Sequence, residues 1–152
     1  RRISILCGNG GLSPLEEMLR GADGAMTGFA YPEMMAQVIA AYRGGNLDHA
    51  RDIFDAYMPM VRYEAQPGLG LAIRKYTLAQ RGVIAHDTVR KPGGALTATT
   101  KAEVDSLAKR QEARLRSLGV YARHAPTGRK ETNPMIAYVT VGADDIPQAN
   151  RL

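Results

Sequence analysis

A chain of 152 residues, 45% of them hydrophobic, is long enough for one ordinary domain with a real core and too apolar for a disordered segment. Its 20 Lys and Arg exceed its 15 Asp and Glu, but the basic residues are scattered and lack interleaved aromatics, so a solvated helix face explains them better than a nucleic-acid surface. Cys7 alone excludes an internal disulfide, and no apolar run approaches the roughly 20 residues of a membrane span or forms a secretory signal, so a cytoplasmic location with no membrane partner is expected.

Ile3, Ile5 and Leu6 form a short apolar run closed by Cys7-Gly8-Asn9-Gly10-Gly11, the pattern of a buried strand entering a glycine turn. Ser13-Pro14-Leu15-Glu16 then reads as a capping box with proline at the first helical position. It opens a helix of about two turns with Leu15, Met18 and Leu19 inward and Gly21 as its stop. Ala22-Asp23-Gly24-Ala25-Met26-Thr27 returns as a strand of mostly small residues. Strand, helix and strand make a right-handed crossover, hence a parallel pair.

The spacing predicts helices for about the next ninety residues. Met35, Val38, Ile39 and Tyr42 share one face up to Gly44-Gly45. Asn46 caps a helix with Ala50, Ile53, Phe54, Tyr57 and Val61 inward and Pro59 as an expected kink. After Pro67-Gly68 a further helix carries Ile73, Tyr76 and Ala79 and stops at Gly82; His86 to Gly94 is loop. Thr100-Lys-Ala-Glu103 reads as a second capping box, ahead of Val104, Leu107, Gln111 and Leu115. Residues 119–134 lack an apolar period and read as a linker, and 135–152 as a loosely ordered strand and helix start.

Leu6-Cys7-Gly8-Asn9, Gly21-Ala-Asp-Gly-Ala-Met-Thr-Gly28 and Gly45-Asn46-Leu47-Asp48-His49-Ala50-Arg51 occur in an order that resembles the C-terminal half of the dihydrodipicolinate synthase and N-acetylneuraminate lyase family. The resemblance covers about residues 3–118 and continues through Ile73-Arg74-Lys75, Gln80-Arg81-Gly82 and Val89-Arg90-Lys91-Pro92. It implies an α/β fold: the last two parallel strands of a (β/α)8 TIM barrel within residues 1–45, then a C-terminal helical extension over 46–118.

The family consists of class I aldolases and lyases that hold pyruvate or another 2-oxo acid as a Schiff base on a lysine, and its members assemble as dimers or tetramers. By the resemblance that lysine lies upstream of Arg1, so this chain carries no catalytic residue and is expected to be inactive alone. It implies no cofactor and no metal. Gly8, Asn9, Met26 and Thr27, at the ends of the two strands, are the implied substrate-binding residues. The lysines present, Lys75, Lys91, Lys101, Lys109 and Lys130, fall on predicted helices or loops. An exposed helix lysine is neither desolvated nor crowded and therefore stays a solvated charge rather than a nucleophile.

Other readings compete for the same residues. Gly8 to Gly11 without a Walker lysine or a full dinucleotide fingerprint is a turn before it is a phosphate site. His49, His86 and His124 are too far apart in sequence to suggest a metal. Met135-Ile-Ala-Tyr-Val-Thr-Val-Gly-Ala-Asp-Asp-Ile-Pro-Gln-Ala resembles the opening of a glyoxalase-like, vicinal-oxygen-chelate protein. The alternative for the whole chain is a non-catalytic, mostly helical interaction or scaffold protein.

Overall fold

The computed structural model describes residues 3–120 and the backbone of 139–141. Strand β1 (Leu6–Cys7) lies parallel to β2 (Gly24–Thr27), with Leu6 opposite Gly24 and Cys7 opposite Ala25. Between them run a 3-10 turn (Asn9–Gly11) and α1 (Pro14–Leu19), so the expected crossover is present. Strand β3 (Val139–Val141) pairs antiparallel with the other edge of β2, giving the order β1-β2-β3. The expected linker and the rest of the tail lie outside the described residues.

Several local expectations are corrected. The first strand is shorter than its apolar run: Ile3 and Ile5 precede the ladder and are exposed, although Ile5 is tied to Asp23 through both its N–H and its carbonyl. Ser13 makes no side-chain cap on α1, which starts on Pro14, whose missing N–H needs no acceptor. Leu19 faces solvent, leaving Leu15 and Met18 as the buried stripe.

Helices α2 (Glu33–Arg43), α3 (Leu47–Glu64) and α4 (Gly70–Gln80) match the predicted periodicity. Asn46 caps α3 by accepting the His49 N–H at 3.1 Å, and α3 continues through Pro59. Helix α5 (Ala98–Ser117) begins before the second predicted cap. Thr97 caps it by accepting the Thr100 N–H at 3.1 Å, while Glu103 instead accepts a hydrogen bond from the Tyr63 hydroxyl.

Buried residues from Cys7 through Met34, Tyr57 and Ile73 to Leu115 form one apolar cluster, so the strand pair and the helices share a core. Helix α2 packs along α3, and α5 closes over α3 and α4. The consequence is that α3 and α4 reach the segment leaving β2.

Candidate active-site wall at the strand ends

Registered partners Cys7 and Ala25 both point into the helical layer, where the Cys7 thiol meets the Pro14 carbonyl at 3.7 Å. Alternation then puts Leu6, Gly24 and Met26 on the opposite face, and Met26 is 48% exposed there. Beyond the C-terminal end of β1 the backbone turns through three left-handed residues, Asn9, Gly10 and Gly11, with φ of 51°, 65° and 77°. Asn9 is the one described non-glycine residue with positive φ, a conformation that asparagine tolerates better than most.

This turn and the end of β2 are joined directly. The Gly10 N–H donates to Thr27 Oγ1 at 2.6 Å, and the Gly8 carbonyl accepts the Gly11 N–H at 3.1 Å. A Cβ on Gly11 would approach Met34 to 3.1 Å, so the turn also packs on α2. A Cβ on Gly8 would meet no atom within 4 Å, so that side is open. Of the four expected contact residues, Thr27 is buried and bonded to the turn, Asn9 and Met26 are exposed, and Gly8 is half-buried.

The segment after β2, Gly28-Phe29-Ala30-Tyr31, is held by charges from the helices. Glu64, at the end of α3 and 4% exposed, accepts the Ala30 N–H at 3.0 Å and the Arg74 Nε–H at 2.6 Å. Burial pushes the Glu64 carboxyl up from its ordinary range, against the pull of Arg74 and the Ala30 amide. Arg81 donates to the Ala30 carbonyl, pairs with Glu33 at 2.5 Å and lies 4.4 Å from the Tyr31 ring centroid. Phe29, Tyr31 and Tyr57 stack around the same segment with centroids 5.7 to 6.4 Å apart. Burial holds the Tyr31 phenol up at about 12.

Glu64, Arg74 and Arg81 were not expected as site-supporting residues. Glu64 was detectable: it continues the apolar face of Tyr57 and Val61 by one helical step, and a carboxylate there needs a partner. Apart from this cluster, a cavity of about 270 Å³ opens between α4 and α5, bordered by Tyr31, Asp105 and Gln111. The buried Gln111 Oε1 has no hydrogen-bond partner among the described residues.

Among the described residues no group of three His, Cys, Asp or Glu could hold a metal ion, and no helix is long and apolar enough to cross a membrane. Lys75 reaches the Thr88 carbonyl from α4, and Lys101 pairs with Asp87 at 3.1 Å over the Tyr76 ring, so both are engaged outside the strand ends.

Residues 1–111 match the model of the dihydrodipicolinate synthetase family. The chain is 31% identical over 103 residues to an L-2-keto-3-deoxyarabonate dehydratase of Azospirillum brasilense, a match covering 68% of this chain and 33% of the relative. It superposes with a TM-score of 0.69 on the crystal structure of dihydrodipicolinate synthase from Rhodopseudomonas palustris, at 51% identity over 71% of this chain and 36% of that one. The chain therefore spans about a third of the length of these relatives. The parallel strand pair, its helix-rich surroundings and the family match agree on part of a TIM barrel, and the chain belongs to the dihydrodipicolinate synthetase family.

Proposed function

We propose that these residues form part of the pocket wall of a class I lyase or aldolase that acts on pyruvate or a related 2-oxo acid held as a Schiff base. Barrel enzymes place their reacting groups at the C-terminal ends of the strands. The observation that carries the reading is the hydrogen bond from the Gly10 amide to Thr27, which fixes the ends of both strands as one surface. Gly8 and Asn9 border the substrate on one side, Met26 and Thr27 on the other.

In this reading the electron-withdrawing imine forms on a lysine of the barrel that is not among the five in this chain. A lysine attacks a carbonyl only after losing its proton in a desolvated or cation-rich setting. Lys101, on α5, is held against Asp87, away from the strand ends. The helices α3 to α5 act as the family's C-terminal extension, holding the segment after β2 through Glu64, Arg74 and Arg81. The assembled enzyme is a cytoplasmic dimer or tetramer without a metal or organic cofactor.

The test is a chimera in which residues 3–118 replace the matching C-terminal part of the Azospirillum dehydratase. Measurable turnover of a 2-oxo acid, lost on substituting both Asn9→Ala and Thr27→Val in a chimera that still folds, is the expected result. Undiminished turnover in the substituted chimera would remove these residues from the pocket.

A further inference from the structure

In a closed barrel every strand is flanked by two parallel neighbours. Among the described residues β2 has one parallel neighbour, β1, while its other edge carries β3 in the opposite direction, Ala25 opposite Val141, Met26 opposite Thr140 and Thr27 opposite Val139. Strand β3 also lies beside α2, the helix that follows β2 in the chain. The edge of β2 that it occupies is the one a parallel first strand would take in a closed barrel.

An edge strand offers a row of unpaired N–H and C=O groups that a segment of either direction can take up. We propose that the outer edge of β2 is a strand-docking surface, that the tail strand Val139–Val141 is its resident, and that this resident and a parallel first barrel strand exclude one another. One edge has a single set of backbone groups, so the two pairings cannot coexist.

The docked strand reaches the candidate site, because its register runs past Met26 and Thr27. It thereby covers an edge that would otherwise invite association between copies and, in the same act, blocks barrel closure. The identity of the excluded strand rests on the family reading above. The docking itself rests on register, so failure of the chimera would leave it standing.

Amide hydrogen exchange on the whole chain tests it. Exchange of those amides of Gly24–Thr27 that face β3 should be slower by at least about tenfold than in a chain lacking residues 121–152, with exchange in α3 unchanged. Val139→Pro and Thr140→Pro are made separately. Successive residues turn their N–H groups to opposite sides, so one of the two must break the ladder while the other is tolerated.

A second measurement fixes the register. In a Cys7→Ala background, Met26→Cys with Thr140→Cys should form a disulfide on mild oxidation, and Met26→Cys with Val139→Cys should not, since a one-residue slip reverses the face. Equal exchange in both chains, or equal crosslinking of both pairs, would overturn the proposal.

Discussion

Replacing Glu64 by alanine tests whether the helices hold the segment leaving β2 electrostatically. The side chain of Glu64 is 3% exposed and that of Arg74 21% exposed, so alanine strands a mostly desolvated guanidinium and a buried Ala30 amide. Breaking a fully buried pair costs about 3–5 kcal/mol; the partial access of Arg74 to water reduces this to roughly 2–4 kcal/mol. In a chain of this size that lowers Tm by about 4–16 °C.

Glu64→Gln keeps an acceptor for Ala30 and should cost only about 1 kcal/mol. Glu64→Leu with Arg74→Met removes both charges but still leaves the buried Ala30 N–H without its acceptor, so it should cost about 1–2 kcal/mol, less than Glu64→Ala. The pH dependence has a definite sign. Burial raises the Glu64 carboxyl, so its contribution to stability is complete below the ordinary carboxylate range and declines as pH rises through the raised value. The stability difference between the parent and Glu64→Gln should therefore shrink with rising pH across that window. Chemical denaturation from pH 4 to pH 7 reads all of these quantities. A loss below about 0.5 kcal/mol for Glu64→Ala, or a coupling that small in the double-mutant cycle with Arg74→Met, would refute the reasoning.

Other predictions concern single sites. Burial and the nearby Glu17 push the Cys7 thiol up to about 12, so a thiol reagent at pH 8 should label it only under denaturing conditions, and rapid labelling of the native chain would contradict its placement. A Cβ on Gly28 would collide with the Arg74 guanidinium, so Gly28→Ala should cost about 1–3 kcal/mol in a denaturant melt, with most of the effect gone in an Arg74→Met background. Gln111→Leu removes a buried oxygen that has no partner among the described residues and should stabilise the fold by about 0.5–1.5 kcal/mol; a loss of stability would show that the amide is satisfied.

What the sequence reveals here depends on the range of the interaction. The crossover from β1 to β2 was legible because glycine stops, a proline at N1 and apolar periods are local signals, as was the Asn46 cap. Cap chemistry was misread at Ser13 and Thr100. At Ser13 the helix starts on Pro14 as expected and only the side-chain cap bond is missing, whereas at Thr100 the start itself is displaced, because Thr97 caps α5.

Candidate residues Gly8, Asn9, Met26 and Thr27 were chosen by resemblance; the structure adds the bond that couples Thr27 to the turn. Of the support beneath them the sequence offers only the buried position of Glu64 on its helix face, and none of its partners. Glu64 and Ala30 are 34 residues apart and Arg81 and Ala30 51 apart, and no local periodicity encodes such pairs. Arg74 and Arg81 stood inside recognised motifs without a role, because a salt bridge needs both partners placed.

Reductive trapping is the most direct test that this polypeptide is a wall without a nucleophile. The whole chain is incubated with labelled pyruvate and borohydride, and its peptides are mapped by mass spectrometry. No labelled lysine at any of the five positions is the predicted result; stoichiometric labelling at Lys75, Lys91, Lys101, Lys109 or Lys130 would contradict it.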